Sequence, residues 1–140
     1  MNTFIFQSVI KDDFDLRKDI RKGGKGTWYA TRYLKEMSVG DRVFFWLAGD
    51  ESIRGLYGWG ILTSNSYQRP DWDDPGVDFE YRGRFSQPIL ARKLKTDPVL
   101  RNLLILRAPQ ASNFLLKPDE EKRLINLIRG SGEDLPDMGG

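Results

Sequence analysis

The chain has 140 residues, of which 39% are hydrophobic and 30% are charged, as is typical of one soluble globular domain. It contains no Cys and no His, which excludes disulfides, thiolate metal sites, Ser-His triads and His-ligated zinc, and leaves a carboxylate-only active site open. The formal net charge is only +2, so affinity for nucleic acid would have to come from a local basic patch.

The beginning of the chain predicts neither export nor membrane insertion. Its first residues, MNTFIFQSVIKDD, lack a basic start and a small-residue cleavage site. A run of about 18 apolar residues, the signal of a membrane-spanning helix, does not occur. Together with the absence of Cys, these features predict a cytoplasmic protein. The acidic residues 71–74 match no calcium loop, and we expect neither a metal nor a cofactor.

The first forty residues predict a strand, a short helix and a basic loop. Residues 3–9 alternate as a strand does, with Phe4, Phe6 and Ser8 on one face. A short helix follows, with Asp12 or Asp13 as its cap, and the two glycines at 23–24 end it. Residues 23–27 then predict a mobile basic loop. Residues 29–37 fit either a short helix or an irregular segment.

Residues 43–48 and 55–62 predict the two strands of a central hairpin. The first run is apolar at both its odd-numbered and its even-numbered positions, so both faces of this strand should be covered by other elements. Three tryptophans, Trp28, Trp46 and Trp59, fall in or beside this hairpin. They either fill its core or form the walls of a pocket for a flat ligand.

The second half of the chain predicts shorter elements. A polar loop containing Trp72 precedes a strand over 77–85, a short helix over 88–95 and a further helix that begins at Pro98. Residues 108–116 are irregular or a short strand. The last helix, 118–130, has Pro at its first position and acidic residues in its first turn. With five or six strands and three or four short helices, the chain predicts an α+β fold, a small mixed barrel with helices over its ends. We expect residues 1–130 to form the domain and residues 131–140 to be a linker or frayed tail.

Several short motifs, in this order, resemble the EVE domain, a member of the PUA-like superfamily that is related to YTH domains. The matching motifs are Phe6-Gln7-Ser8, Trp28 followed by Arg32 and Tyr33, Gly40-Asp41 before Val43-Phe44-Phe45, Gly55 with Gly58, the segment from Pro88 through Leu94-Lys95 and Asp97-Pro98 to Leu100, and the helix from Pro118 to Ile128. The resemblance runs from residue 3 to about residue 129. The chain departs from the family where Gln7 replaces a Lys and where Val9-Ile10 replaces Glu-Pro.

This resemblance implies a PUA-like barrel that binds without catalysis. PUA-like readers hold a modified nucleobase in a pocket with aromatic walls, and EVE-like modules are often fused to restriction nucleases or motor ATPases. We therefore expect a nucleic-acid-binding module that flips a modified base, methylated cytosine in DNA, into an aromatic pocket. It would be the sensor of a prokaryotic, modification-dependent restriction enzyme, with a fused effector domain after residue 140.

The residues expected to bind nucleic acid fall into two groups. The pocket would use the aromatic residues Trp28, Trp46, Trp72 and Tyr29 and the polar residues Ser8, Gln7 and Asn113. Phosphates would be bound by the basic residues Lys18, Arg21, Lys22, Lys25 and Arg32. Each group has a plainer interpretation as well, because a buried Trp is often core and a basic run is often a solvated face.

Two other functions remain open at this point. The chain could be a YTH-like reader of methylated adenine in RNA, since YTH domains belong to the same superfamily. It could also be a small hydrolase that uses carboxylates, although the absence of His and Cys weighs against this.

Overall fold

The computed structural model describes residues 1–137, which form one curled, mixed sheet with short helices packed over it. The seven strands are β1 (Thr3–Ser8), β2 (Lys25–Tyr29), β3 (Arg42–Leu47), β4 (Gly55–Leu62), β5 (Tyr67–Gln68), β6 (Pro75–Leu90) and β7 (Asn113–Leu115). The helices are α1 (Leu16–Asp19), α2 (Ala91–Leu94), α3 (Leu104–Arg107) and α4 (Pro118–Gly130), with single 3₁₀ turns at Leu34–Glu36 and Leu100–Asn102. The predicted α+β class and mixed barrel are confirmed, with one or two strands more than expected.

The strands are ordered β2-β6-β4-β3-β1-β7, and the two-residue β5 pairs with β6. β3 lies parallel to β1 and antiparallel to β4, and all other pairs in the sheet are antiparallel. Every residue of β3 is buried, because apolar side chains project from both faces of this strand. The prediction of a central strand covered on both sides is therefore confirmed.

The sheet separates two apolar clusters. Alternation along β1 places Phe4 and Phe6 in the inner cluster, inside the curl of the sheet, and Ile5 in the outer cluster. The inner cluster is completed by side chains of β2, β3, β4 and β6, and by Leu16 and Ile20 from α1 and the residue after it. Residues of α2, α3 and α4 belong to the outer cluster, so these helices cover the outside of the curl.

One buried amide joins the two end strands of the sheet. Asn113, the first residue of β7, is fully buried. Its Nδ2 donates to the carbonyl oxygen of Tyr29 at 2.9 Å, and its Oδ1 accepts from the backbone N–H of Thr31 at 2.9 Å. Tyr29 ends β2, the strand at the opposite end of the order. Asn113 therefore closes the curled sheet into a barrel by a side-chain link, where no backbone ladder forms.

The segment predicted to be a mobile basic loop, residues 23–27, is mostly strand. Lys25 pairs with Glu80 and the pairing with β6 continues to Tyr29. Gly26 makes this approach possible, since a Cβ at that position would lie 2.9 Å from the ring of Phe79. The loop prediction was wrong because Gly and Lys have low strand propensity, whereas pairing with a long neighbouring strand decides the conformation.

Two helix predictions need correction in their bounds. The helix expected over 88–95 begins only at Ala91, because β6 continues through Leu90. The helix expected from Asp12 or Asp13 is a single turn, capped by Asp15, whose side chain accepts from the backbone N–H of Arg17 at 3.0 Å. The prediction for α4 is confirmed over its full length, 118–130. No helix among residues 1–137 is long and apolar enough to span a membrane.

The segment after α4 folds back onto the barrel over residues 131–137, which corrects the prediction of a frayed tail. Leu135 is 4% exposed and belongs to the outer cluster. The Nη2 of Arg42 donates to the carbonyl oxygen of Pro136 at 2.8 Å, and the Nε of Arg129 donates to that of Leu135 at 2.8 Å. The last part of the predicted tail, residues 138–140, lies outside the described residues.

We predict that Asn113→Leu lowers the free energy of unfolding by about 2–4 kcal/mol, because it leaves one backbone carbonyl and one backbone N–H without their buried partner. Urea denaturation would measure the loss. Asn126→Leu is the control, since Asn126 is exposed on α4 and makes no side-chain hydrogen bond within the described residues. A loss at Asn113 no larger than at Asn126 would show that the amide link does not hold the barrel closed.

Candidate nucleic-acid interface

Trp28 lies inside the barrel, near one end of β2. Its side chain is 8% exposed, and its ring contacts those of Phe6, Phe45 and Phe79 at centroid distances of 5.8, 5.5 and 5.7 Å. A fourth ring, Phe14, meets it edge-on at 6.4 Å. Phe14 is half-buried and is the only one of the four that lies outside the sheet. Trp28 is therefore part of the inner core and is covered on one side by a loop residue.

Ser8 ends β1 on the same face as Phe6, whose ring contacts Trp28. Its hydroxyl oxygen is buried and has no hydrogen-bond partner among the described residues. Its backbone carbonyl oxygen accepts from the backbone N–H of Ala48 at 2.8 Å, so the strand pairing extends to Ser8. A buried hydroxyl without a partner costs free energy, and a ligand atom with complementary hydrogen-bonding capacity would recover that cost.

Asn113 lies at the same end of the barrel as Ser8. It is the cross-strand partner of Phe6, so its side chain points to the inner face. Because both ends of its amide bind the backbone of Tyr29 and Thr31, it fixes the segment that follows Trp28. We call the set Phe6, Ser8, Phe14, Trp28 and Asn113 the barrel mouth. Three of the predicted pocket residues, Ser8, Trp28 and Asn113, are brought together there.

Trp46 and Gln7 lie on the other face of the sheet from Trp28, so the structure does not bring them into one pocket with it. Trp46 is fully buried in the outer cluster, because its neighbour Phe45 occupies the inner face. Gln7 is its cross-strand partner. The Nε2 of Gln7 donates to the carbonyl oxygens of Pro109 and Ala111 at 3.0 and 2.8 Å, so it holds the loop before β7.

Tyr29 and Trp72 form an aromatic pair outside the barrel. Tyr29 follows Trp28 on β2 and so points the opposite way, where its side chain is 46% exposed. The two rings stack at 4.3 Å with an interplanar angle of 29°, and the guanidinium of Arg69 lies 4.6 Å from the Trp72 centroid. Gly76 lies beneath this pair, since a Cβ there would come within 3.0 Å of the Trp72 ring. These two predicted walls therefore flank Trp28 from outside and do not face it.

The five basic residues predicted to bind phosphates are all exposed, but they do not form one patch. Lys18, Arg21, Lys22 and Lys25 surround α1 and the start of β2, whereas Arg32 follows the end of β2. The length of β2 separates the two groups by about 13 Å at roughly 3.3 Å per residue. Arg21 also approaches a carboxylate oxygen of Asp19 at 4.0 Å.

Carboxylates beside α1 reduce the positive potential of the first group. Asp15 binds Arg17 through both oxygens, at 3.0 and 2.8 Å, and this hydrogen-bonded guanidinium lowers the pKa of the Asp15 carboxyl. Asp12, Asp13 and Asp19 line a shallow groove of about 310 Å³ with Asp15. No group of three or more His, Cys, Asp or Glu residues in 1–137 could hold a metal ion.

Three residues that bear on binding are not predicted from the sequence. Phe14 covers Trp28, and Arg82 and Arg84 are exposed on β6. The signal for the two arginines is the alternation Glu80-Tyr81-Arg82, in which Tyr81 is buried between two charged residues. Burial raises the pKa of Tyr81, whose hydroxyl donates to Asp19 at 2.7 Å. No signal for Phe14 exists in the local pattern, because its contact with Trp28 is tertiary.

Comparison with known proteins gives a family and a fold. The family model described as EVE domain matches residues 4–127. Solved structures with the same fold include a protein of Agrobacterium tumefaciens (17% identity, all of both chains covered, TM-score 0.77). A protein of Rhodopseudomonas palustris is similar over 96% of this chain and 97% of its own (17% identity, TM-score 0.75). Human THYN1, in complex with DNA containing 5-methylcytosine, is similar over 97% of this chain and 100% of its own (17% identity, TM-score 0.72). No curated protein matches the chain significantly. The predicted PUA-like EVE fold is thereby confirmed.

The packing of the tryptophans predicts different costs of truncation. Trp28→Ala should lower the free energy of unfolding by about 3–5 kcal/mol, because a large side chain leaves the inner core. Trp72→Ala should cost clearly less, since Trp72 is half-buried on the surface. Chemical denaturation of both variants would test this. Equal losses would contradict the assignment of Trp28 to the core and Trp72 to the outer surface.

Proposed function

The chain belongs to the EVE domain family, and we propose that it is a non-catalytic module that binds DNA carrying a methylated cytosine and captures that base at the barrel mouth. The partner class is supported by the likeness to human THYN1, which is in complex with DNA containing 5-methylcytosine. The proposed position of the base at the barrel mouth rests on the buried, unpartnered hydroxyl of Ser8, which lies on the same side of the sheet as the contacting rings of Phe6 and Trp28.

The barrel mouth offers the interactions that a captured base needs. Flipping a base out of the duplex costs a few kcal/mol, and stacking on an aromatic ring returns about 1–3 kcal/mol. A hydroxyl both donates and accepts, so Ser8 could bind either the amino group or an acceptor on the Watson–Crick edge of cytosine. The methyl group adds about 0.8 kcal/mol when it is buried against apolar side chains.

Entry of a base requires Phe14 to move, because Trp28 is only 8% exposed. Phe14 is on a tight turn, where its N–H and C=O exchange hydrogen bonds with those of Lys11 at 3.2 and 2.8 Å. The preceding Val9 and Ile10 are 49% and 46% exposed, so few contacts hold this segment. We propose that the turn swings outward and that the base replaces the edge of Phe14 against Trp28.

The surface around the mouth would bind the rest of the DNA. Tyr29 and Trp72 lie beside Trp28 on the outside and could contact the nucleotides that flank the captured base. Lys18, Lys22 and Lys25 at one end of β2, and Arg32 beyond its other end, are exposed and suited to phosphates. These contacts would give affinity without sequence preference, whereas the mouth would give the preference for the modified base.

The proposal predicts tighter binding of a duplex with one 5-methylcytosine than of the same duplex with cytosine. Burial of one methyl group corresponds to about fourfold in affinity. Fluorescence anisotropy with both duplexes, and with an RNA oligomer carrying N6-methyladenine, would measure the preference. Equal affinity for the two duplexes would contradict the proposal, and tighter binding of the methylated RNA would favour a YTH-like function.

Ser8→Ala tests the role of the hydroxyl in capture. It should reduce the preference for the methylated duplex from about fourfold toward equal binding of the two duplexes, because the captured base loses a hydrogen bond. The free energy of unfolding should stay nearly unchanged, because the hydroxyl has no partner in the free protein. Thr3→Val is a matched control, since Thr3 carries another buried, unpartnered hydroxyl at the opposite end of the same strand. If both substitutions change the preference equally, Ser8 does not contact the base.

A further inference from the structure

A groove of about 600 Å³ runs between residues 82–86 of β6 and the segment that follows α4. We call it the β6 groove; the charged and polar residues that line it include Lys22, Arg82, Arg84, Ser86, Glu133 and Asp134. Trp59 and Phe85, which also line it, are buried and belong to the outer cluster, so the groove is separated from the barrel mouth by the sheet. The groove is therefore distinct from the site proposed for the base.

One side of the β6 groove carries uncompensated positive charge. Lys22 is exposed and makes no ion pair within residues 1–137. The Nε of Arg82 binds Glu80 at 2.8 Å. The guanidinium of Arg84 donates to the carbonyl oxygens of Arg17 and Ile20 in and beside α1, so no described carboxylate neutralises it. Of these three cations, only Arg82 is therefore paired with a carboxylate among the described residues.

On the other side of the groove, the carboxylate of Glu133 accepts hydrogen bonds from two donor groups of Ser86. The backbone N–H of Ser86 donates to one oxygen of Glu133 at 2.5 Å, and its hydroxyl donates to the other oxygen at 2.6 Å. A backbone N–H and a hydroxyl directed at one anion form the arrangement that also binds phosphate. None of the three cations lies within ion-pair distance of Glu133 in the described structure. Ser86 is therefore an anion site that the chain fills with its own side chain.

Glu133 can leave Ser86 without unfolding the segment that carries it. The path of residues 131–137 is fixed further along, by burial of Leu135 and by the hydrogen bond from Arg42 to Pro136. A change of side-chain rotamer at Glu133 is enough to expose both donors of Ser86. Asp134, the next residue, is exposed and adds a second negative charge to this side of the groove.

We propose that the β6 groove is a second contact for the nucleic-acid backbone, in which a phosphate displaces Glu133 from Ser86 and is held by Lys22 and Arg82. Glu133 and Asp134 then act as an internal competitor that keeps the groove closed to weakly bound anions. This inference rests on the proposed function only in taking a nucleic acid as the partner. It does not depend on capture of a modified base.

A double-mutant cycle on the whole 140-residue chain tests the proposal, with an unmodified DNA duplex as the probe. Glu133→Gln keeps the size of the side chain but turns an amide NH₂ toward a donor of Ser86. It should tighten binding about fivefold and steepen the slope of log affinity against log salt by about one unit, because one more phosphate is engaged. Glu36→Gln removes the same charge from an exposed residue that lies elsewhere on the surface, and it should have a smaller effect.

The second change in the double-mutant cycle is the combined substitution Lys22→Ala and Arg82→Ala, made with and without Glu133→Gln. This pair should weaken binding and should abolish the gain from Glu133→Gln, since the freed donors then lack the cations that hold the phosphate. Lys122→Ala with Arg101→Ala, two exposed cations outside the groove, is the control for the loss of two charges. A gain that persists without Lys22 and Arg82, or one no larger than that of Glu36→Gln, would overturn the proposal.

A measurement without substitutions guards against variants that fold poorly. Addition of the unmodified duplex to the ¹⁵N-labelled protein should shift the amide signals of Ser86 and Gly83, because the phosphate replaces Glu133 there. Unchanged signals at saturation would refute the groove contact. The preference for 5-methylcytosine should be unchanged by Glu133→Gln, because Glu133 lies in the β6 groove and not at the barrel mouth. If the protein shows no preference for 5-methylcytosine but the double-mutant cycle gives the expected result, base capture alone is rejected. If the preference is present but the cycle does not give the expected result, the groove contact alone is rejected.

Discussion

The barrel depends on the buried amide of Asn113. A curled sheet with β2 and β7 as its end strands leaves two edges, and backbone pairing does not join them. Asn113 satisfies one acceptor and one donor of the Tyr29–Thr31 segment and is itself fully buried, so its own polar groups are paired as burial demands. Because Trp28 directly precedes this segment, the same two hydrogen bonds that close the barrel also hold the indole against Phe6 and Phe45.

Alternation along the strands then decides which side chains can meet. Phe45 faces the inside, so Trp46 must face the outside, and no local adjustment brings Trp46 to Trp28. The central strand and α4 could be predicted from sequence because an apolar run and a capped amphipathic helix are local patterns. The composition of the barrel mouth could be predicted only in part, because the pairing of Phe6 with Asn113 joins residues more than one hundred positions apart.

Two segments of unremarkable composition owe their order to distant partners. Residues 25–29 contain features of a loop, yet they form a strand since β6 extends far enough to pair with them and Gly26 accommodates the ring of Phe79. Residues 131–137 comprise three acidic residues, one glycine, one proline, one serine and one leucine, yet Leu135 packs into the outer cluster. In both cases the local sequence does not determine the conformation of the segment, which is set by its contacts with the partner strand or with the core.

The order of this last segment follows from a buried charge. Arg42 is 2% exposed, its guanidinium lies 5.3 Å from the Trp59 centroid, and burial lowers its pKa from the ordinary value for arginine. No carboxylate lies within ion-pair distance of it among residues 1–137, so the carbonyl oxygen of Pro136 is the acceptor that its Nη2 uses. A buried guanidinium without acceptors would be costly, and this need draws residues 131–137 across the outer surface. Glu133 is thereby carried to Ser86, in the groove that Lys22 and Arg82 also line, so a charge in the core positions the carboxylate that Ser86 binds on the surface.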